Sequence, residues 1–539
     1  MSTPVSHSDA SADPYRAGTW RPLLTLLGLF AALYCINLLI PRDLWIQDEA
    51  RYGEVVREML TTGQWLIPHL NGHFYPDKPA LYFWLVAAVG GVVGQGILAF
   101  RLVTLLSTLA AVYGVWLVGR RLTDRVGAWW SAAIFASTFL TLFVGQMARM
   151  DMLLTASVAF AWYALLAYWQ GGRPRALVGF WGLAILGVAI KGPIALLFSV
   201  LPALAWSAHE GGWHGLRRLR PLLGLGAFIA VIAAWIGIII MRGEGHYLWE
   251  IWHDQLVGRA VNSWSHREPI YFYVVLAPLL LMPWTGLVVR GGYRLWRERP
   301  DLWKAVAWFA LLPLAAVSLV SGKLFIYIEP LFPALCIAAG VAAARLWREP
   351  RPSFWISLPP VVFLGAAVAA VLWANRSLLD GAQAGQLLAG ALALLTVVGL
   401  GLAFVNGRRW LLGWSAISVG ISVCVFGVLI YLLNPLYSGR AIGEAIARLA
   451  PATRPVGVVN TTRGILNYYA GRKMTELEIA QAPAWWNAHP DALMIVKSED
   501  LARILTMARR RLPCRTDETY SVELKQYHLL MDCPAKGVR

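Results

Sequence analysis

Long uninterrupted apolar segments decide what this chain can fold into. A helix needs about 20 apolar residues to cross a bilayer, and the 539-residue sequence contains thirteen segments near that length. They lie near residues 23–40, 99–119, 126–145, 152–169, 176–190, 192–207, 221–241, 271–290, 303–320, 326–346, 354–373, 386–405 and 411–433. A bilayer leaves backbone polar groups without water, so such segments fold as transmembrane helices. The sequence predicts a polytopic α-helical membrane protein with about 13 transmembrane helices.

The composition agrees with this fold class. Hydrophobic residues make up 58% of the chain and charged residues 14%, against about 25% charged in a soluble domain. The formal net charge of +17 raises the question of nucleic acid. However, the Arg and Lys residues cluster between apolar segments, as they do in cytoplasmic loops. The positive charge therefore indicates topology, with membrane lipids and no nucleic acid as partners.

Loop charge also predicts the orientation. Residues 79–96 are apolar enough to be ambiguous, and counting them as a span would turn most of the later arginine clusters outward. We therefore interpret 79–96 as a membrane-edge or re-entrant element, which is tolerable where protein covers it. Residues 1–22 are then a cytoplasmic tail, and 23–433 form the transmembrane domain. The first periplasmic loop, with its membrane-edge helices, covers 41–98.

The composition changes after the last apolar segment. Short apolar runs at 455–459, 493–496 and 527–531 are typical of buried strands, and residues 439–450 and 499–511 have helical spacing. These features predict a small periplasmic α/β domain over residues 434–539. Its two cysteines, Cys514 and Cys533, are expected to form a disulfide in an oxidising compartment, with two free thiols as the alternative.

Residues 45–85 are the first long polar interval, and they concentrate charge beside the membrane. Asp48 and Glu49 are adjacent, with Arg51 close behind and Lys78 later in the loop. A charge at a membrane edge is costly enough that function is the default hypothesis. A carboxylate there can act as a base, and two cations suit a phosphate-bearing partner. The loop therefore indicates group transfer from a phosphate-linked donor.

The remaining outward loops carry few charges, and most of these are isolated. Arg149 and Asp151 lie in the 146–151 turn, Lys191 ends an apolar segment, and Lys323 follows Ser321-Gly322. Any single lysine could be snorkelling from a helix end, and Asp151 could be a helix cap. Several such residues on one face, with others in the long 242–269 loop, predict a shared anion-binding cavity.

His69 and His73 lie four residues apart, a spacing that could present two imidazoles on one helical face. Pro68 and Asn71-Gly72 argue against a regular helix there. We therefore expect no cofactor, while a divalent metal remains open.

The charged loops carry a resemblance to a known family. Residues 48–54, 57–59, 65–72 and 78–84 resemble the first periplasmic loop of the bacterial aminoarabinose-to-lipid A transferases. The likeness continues through residues 148–151, 191–193, 268–273 and 321–327. With the protein O-mannosyltransferases, these enzymes belong to the GT-C class of polyprenyl-phosphate-dependent glycosyltransferases. The resemblance covers most of the membrane part but does not extend to the C-terminal region.

The resemblance implies roles for particular residues. The family's catalytic carboxylate falls on Asp48, with Glu49 beside it, and its lysine in contact with the donor phosphate falls on Lys78. Lys191, Arg259 and Tyr327 resemble the remaining donor-site positions. The full set of expected substrate-binding residues is Arg51, Lys78, Arg149, Asp151, Lys191, Arg259, His266, Lys323 and Tyr327.

The resemblance implies transfer of a sugar, with inversion, from undecaprenyl phosphate to an acceptor at the periplasmic face of a bacterial inner membrane. The preferred sugar is 4-amino-4-deoxy-L-arabinose and the preferred acceptor is lipid A. One alternative is a transferase of another lipid-linked sugar to a periplasmic protein or glycan. The other is a transporter of lipid-linked substrates, which would place charges deep in broken helices. The charges here lie at outer helix ends instead.

Overall fold

The computed structural model describes residues 20–40, 42–45, 47–94, 96–253, 267–349, 354–378, 383–405, 407–461, 463–507 and 514–531. The first part of the chain is helical apart from one small hairpin. Its elements are α1 (Trp20–Leu39), α2 (Gln47–Thr62), β1 (His69–Leu70), β2 (His73–Phe74), α3 (Leu81–Val93), α4 (Ile97–Leu122), α5 (Arg125–Ser137), α6 (Phe139–Val144), α7 (Asp151–Gly171), α8 (Pro174–Lys191), α9 (Ala195–Arg218), α10 (Pro221–Met241) and α11 (Gly245–Glu250).

The second part of the membrane region is also helical. Its elements are α12 (Phe272–Leu280), α13 (Thr285–Glu298), α14 (Pro300–Leu319), a 3-10 helix (Phe325–Leu331), α15 (Phe332–Arg348), α16 (Phe354–Leu378), α17 (Gln383–Leu402), α18 (Gly407–Ile421), a π-helical segment (Ser422–Leu429) and α19 (Ile430–Tyr437).

The predicted apolar segments form helices, and the fold class is confirmed. Within the described residues, nine helices are long and apolar enough to cross a membrane, or ten if α12 and α13 are one bent span. The count of thirteen stays a prediction. Residues 271–290, predicted as one continuous span, are broken by a 107° bend. Pro283 lies within this break, and a proline cannot donate the hydrogen bond that continues a helix.

Two other predicted segments differ from a single straight helix. Residues 126–145 divide at Thr138, whose hydroxyl accepts a hydrogen bond from the Thr141 amide and so caps α6. Within 79–96, residues Leu81–Val93 form α3, which is 13 residues long and shorter than the roughly 20 residues that a span requires. α3 packs against α4 with Tyr82, Phe83 and Val86 buried. Its membrane-edge position stays a prediction.

Small residues bring the central helices close together. A Cβ at Gly340 of α15 would lie 2.5 Å from the Gly127 carbonyl oxygen of α5. A Cβ at Gly114 of α4 would lie 2.9 Å from Ala159 of α7. Apolar side chains gain little by leaving lipid for protein, so close backbone contact at small residues is what holds such helices together. α7, which packs against α4 in this way, begins at Asp151, the last residue of the 146–151 turn.

A five-stranded sheet follows the membrane region, as predicted. The strands are β3 (Val456–Val459), β4 (Thr475–Leu477), β5 (Leu493–Lys497), β6 (Cys514–Val522) and β7 (Lys525–Met531). Their order in the sheet is β4-β3-β5-β7-β6, with β3 parallel to β4 and β5, and β7 antiparallel to β5 and β6. The helices of this region are α20 (Arg440–Leu449), α21 (Asn467–Ala470), α22 (Ala482–Ala488) and α23 (Ser498–Met507). We call residues 438–531 the C-terminal region.

Two sequence predictions concern residues that the structure describes only in part. Cys514 opens β6, but Cys533 lies outside the described residues, so the disulfide stays a prediction. Most of the predicted cytoplasmic tail, residues 1–19, also lies outside them.

Candidate active site

The helix α2 places two carboxylates at its first turn. Asp48 and Glu49 directly follow Gln47, where α2 begins. Amide groups at a helix start lack partners within the helix and favour negative charge, so the position suits both side chains. The Asp48 side chain is 23% exposed, whereas Glu49 is fully buried. Asp48 is therefore the carboxylate that a ligand can reach.

An ionic chain extends from Asp48 along the membrane edge. Arg149 binds Asp48, and its Nε also lies 3.1 Å from an Asp151 carboxylate oxygen. Lys191, the last residue of α8, binds Asp151 in turn. Arg149 and Asp151 are both buried, so these charges depend on one another for stabilisation. The structure thus brings together predicted site residues from three separate loops.

A second group of cations approaches Asp48 from the first loop. Arg51 lies 3.1 Å from Asp77 and 3.9 Å from Asp48, and its guanidinium stacks 5.2 Å from the centre of the Tyr75 ring. Lys78 is half-buried and close enough to act electrostatically on Asp48. With Arg149, three cations thus act on one accessible carboxylate. This arrangement can bind an anionic group next to Asp48.

These cations determine the protonation state of Asp48. Burial alone would raise the pKa of its carboxyl, but Arg149, Lys78 and Arg51 outweigh burial and lower the pKa to about 2. Asp48 is therefore ionised throughout the neutral range and is a weak proton acceptor. The arrangement favours a carboxylate that stabilises positive charge on a reacting group over one that removes a proton.

Glu49, predicted to be catalytic beside Asp48, makes different contacts. It lies 2.5 Å from Arg42 and accepts hydrogen bonds from the Ala148 amide at 2.7 Å and the Trp45 amide at 3.3 Å. These contacts join the start of α2 to the 146–151 turn that carries Arg149. The geometry suits a positioning role rather than direct contact with a substrate. We did not predict Arg42, although an isolated arginine on the outward side departs from the positive-inside pattern.

The other predicted residues lie farther along the site or outside the described chain. Lys191 stacks 4.8 Å from the centre of the Tyr327 ring, which places the 3-10 helix beside the ionic chain. Lys323 is buried and donates a hydrogen bond to the Glu268 carbonyl at 2.8 Å. Arg259 and His266 lie outside the described residues.

Several buried polar groups at or near the site were not predicted from the sequence. The hydroxyls of Tyr52 and Tyr75 are buried and have no hydrogen-bond partner within the described residues. Since buried polar groups are normally paired, a polar ligand could supply their partners. Tyrosines in an apolar pattern resemble core residues, so the sequence offered no signal for them. Glu329, buried and bonded by the Thr141 hydroxyl at 2.8 Å, was detectable as a charge inside the apolar segment 326–346.

The two histidines belong to a hairpin, not to a helix. His69 and His73 flank an Asn71-Gly72 turn in which both residues have positive φ, as a two-residue hairpin turn requires. His69 Nδ1 lies 2.9 Å from the Ile67 carbonyl. Across the described ranges, no group of three or more His, Cys, Asp or Glu side chains is arranged to hold a metal ion.

Similar proteins are described as transferases of lipid-linked sugars. Residues 77–238 match the family described as dolichyl-phosphate-mannose-protein mannosyltransferase. The undecaprenyl phosphate-α-4-amino-4-deoxy-L-arabinose arabinosyl transferase 1 of Pseudomonas fluorescens is 30% identical over 74% of this chain and 72% of its own length. The enzyme of the same description from Edwardsiella ictaluri is 29% identical over 88% of this chain and 86% of its own length.

The fold has a solved counterpart. The crystal structure of ArnT from Cupriavidus metallidurans bound to undecaprenyl phosphate superposes with a TM-score of 0.76. The match covers 98% of this chain and 100% of that chain at 18% sequence identity. The architecture of the membrane helices and of the C-terminal region is therefore shared between the two proteins.

Proposed function

We propose, because the chain belongs to the family of undecaprenyl phosphate-α-4-amino-4-deoxy-L-arabinose arabinosyl transferases, that it transfers this aminoarabinose from undecaprenyl phosphate to lipid A. The chain is a multi-pass membrane glycosyltransferase. The observation that carries the proposal is the accessible Asp48 carboxylate, held ionised among Arg149, Lys78 and Arg51. No cofactor is needed for this chemistry, and a metal requirement is not part of the proposal.

The site residues fit the charges that such a transfer develops. An oxygen of a lipid A phosphate attacks the anomeric carbon, and the bond from that carbon to the donor phosphate oxygen breaks with inversion. The bonding electrons leave with undecaprenyl phosphate, where Lys78 and Arg51 can stabilise the anion. Positive charge grows on the sugar ring, where the ionised Asp48 can stabilise it. A phosphate acceptor is already an anion near neutral pH, so no strong base is required.

We expect the rate of transfer to be nearly constant from about pH 6.5 to 8. The pKa of Asp48 is lowered to about 2, so its carboxylate is fully charged across this interval and pH cannot change its contribution. Single-turnover transfer with saturating donor measures the effect. A steep rise of the rate with pH would instead indicate a hydroxyl acceptor that must lose a proton.

Glu54 provides the necessary control for this measurement. It is buried in α2, and burial raises its pKa to about 7 although Arg57 lies 2.6 Å away and opposes the rise. Glu54 could therefore titrate within the same interval. The pH profile of Glu54→Gln separates titration of Glu54 from deprotonation of a hydroxyl acceptor. A dependence of the rate on pH that remains in this variant does not come from Glu54.

Mass spectrometry of lipid A tests the proposed reaction. We expect a deletion strain to lose the aminoarabinose substituent and a plasmid copy of this chain to restore it, while an Asp48→Asn copy does not. Unchanged lipid A in the deletion strain, together with a lost sugar on a periplasmic protein or glycan, would favour the alternative acceptor. Accumulation of donor on one membrane face without loss of any glycan would favour transport.

The orientation belongs to the same proposal. The arginine clusters on the opposite loops support outward placement of the site, and the proposal therefore has the C-terminal region in the periplasm, on the outer side of a bacterial inner membrane. A phosphatase reporter that is active only in the periplasm, fused after residue 539, is expected to be active. An inactive reporter on a fusion that still transfers sugar would contradict this orientation.

A further inference from the structure

The C-terminal region holds the turn of the first-loop hairpin, residues 71 and 72, through hydrogen bonds. The Asn71 side chain donates hydrogen bonds to the Met474 carbonyl at 2.8 Å and to Glu476 at 2.7 Å. It accepts hydrogen bonds from the Met474 amide at 2.9 Å and the Asn467 side chain at 2.8 Å. An asparagine amide has two donor hydrogens and a carbonyl oxygen with two lone pairs, so all four are used. The hairpin tip is thus fixed to residues that are distant in sequence, with Asn467 separated from it by 396 positions.

The same region holds the chain just before α2. Asp43 accepts hydrogen bonds from Ser438 at 2.7 Å and from Arg440 Nε at 2.7 Å. The Tyr469 hydroxyl accepts a hydrogen bond from the Leu44 amide at 2.8 Å and donates one to the Leu44 carbonyl at 3.0 Å. One side chain therefore satisfies both backbone groups of Leu44, close to the start of α2.

α2 itself packs directly on the C-terminal region between these two attachments. A Cβ at Gly53 would lie 2.8 Å from the Tyr468 ring, so the helix and the ring touch only because position 53 is glycine. The backbone at Gly464 is equally close to the first loop, since a Cβ there would lie 2.5 Å from Leu70 and 3.3 Å from Arg51. The segment that carries Asp48 and Arg51 is therefore held at both ends and along its length.

We propose that the C-terminal region positions the catalytic loop, with Asn71 and Tyr469 as the positioning residues for Lys78 and Asp48. The inference rests on the proposed transfer reaction and gives the C-terminal region a role in it. Asn71 precedes Asp77 and Lys78 by only a few residues. The Tyr75 amide donates a hydrogen bond to the Pro68 carbonyl at 2.8 Å, which closes the hairpin that carries Asn71 just before Asp77 and Lys78. A shift of the hairpin tip therefore moves the Lys78 ammonium relative to the donor phosphate.

Asn71→Asp is the decisive variant because it keeps the shape of the side chain and removes its two donor hydrogens. The introduced carboxylate would face the Met474 carbonyl and the Glu476 carboxylate, which repel it. We expect kcat to fall about 10- to 100-fold and the donor KM to rise, since a displacement near 1 Å can cost that much. In the double variant Asn71→Asp with Glu476→Gln, the new amide can donate to the introduced carboxylate, so part of both losses should be recovered.

Arg454→Ala is the matched control. Arg454 donates hydrogen bonds to the carbonyls of Leu449 and Asp491, and both of these acceptors lie inside the C-terminal region. Its loss should lower the midpoint of thermal unfolding while kcat and KM of the folded molecules stay unchanged. A loss of folded molecules alone lowers apparent kcat at constant KM, which distinguishes damage to the fold from displacement of Lys78.

Tyr469→Phe tests the other attachment if Asn71→Asp fails to fold. It removes only the hydroxyl that holds Leu44, and we expect kcat to fall about 3- to 10-fold. Unchanged donor KM in Asn71→Asp, with no recovery in the double variant and full kcat in Tyr469→Phe, would overturn the positioning role. A wild-type chain that transfers no aminoarabinose would instead overturn the proposed function.

Discussion

Lys78→Met is expected to lower the rate of sugar transfer by about 10²- to 10³-fold. In the proposed reaction, departure of undecaprenyl phosphate leaves an anion in a half-buried site that water screens weakly, and Lys78 lies where its charge acts on the neighbouring Asp48. Losing one preorganised contact to a developing negative charge typically costs roughly 2.7 to 4 kcal/mol of transition-state stabilisation. Methionine keeps most of the length and the apolar stem of the side chain and removes the charge.

The measurement is transfer from purified donor to lipid A by folded protein in detergent. Lys304→Met is the matched control, because the Lys304 side chain on α14 is also partly exposed and lies 3.8 Å from Asp301, away from the site. The control should transfer at the wild-type rate. Near-normal transfer by Lys78→Met would remove phosphate stabilisation from the role of Lys78.

Asp151→Ala is expected to destabilise the folded protein by about 3 to 5 kcal/mol. Asp151 is 1% exposed and binds both Lys191 and Arg149, so its removal leaves two buried cations with only Asp48 near them in the ionic chain. The cost is mainly that of uncompensated buried charge, which is larger than the net contribution of an intact pair. Reversible unfolding in mixed detergent micelles measures the change.

Two further variants check the cause. Asp301→Ala removes a carboxylate that is 90% exposed and 3.8 Å from Lys304, and it should cost less than about 1 kcal/mol because such pairs are screened by solvent. Asp151→Ala/Lys191→Ala should recover part of the stability, since one of the two unpaired cations is then absent. Equal stability of the single and double variants would argue against charge as the cause.

The helices of the membrane region could be predicted because their cause is local. The apolar segments near 99–119, 152–169 and 326–346 correspond to α4, α7 and the 3-10 helix with α15. A long apolar segment in contact with lipid can pair its backbone N–H and C=O groups only by forming a helix. The composition of a short stretch of sequence therefore determines its secondary structure. The bend between α12 and α13 could not be predicted from hydropathy, because the apolar run continues through it while a proline interrupts the helix.

The candidate site could be found in part for a related reason. Charges are costly beside a bilayer, so Asp48, Arg149 and Lys191 stood out as ionisable residues at the ends of apolar segments. The position of a charge beside an apolar segment identifies the residue, but it does not indicate which residue it contacts. It also does not indicate Tyr52 and Tyr75, because in a sequence their aromatic rings are typical of ordinary core residues, although their hydroxyls are buried polar groups.

Only the tertiary structure decided how these charges act on one another. Glu49 follows Asp48 in sequence and was expected to be catalytic beside it, but neighbours on a helix point about 100° apart and Glu49 turns to Arg42. Arg149 and Lys78, distant in sequence, reach Asp48 instead and lower its pKa to about 2. Electrostatic effects depend on separation in space and on burial. Apolar length is a property of one segment and could be predicted from it, whereas these distances arise only when α2, the 146–151 turn and the C-terminal region pack together.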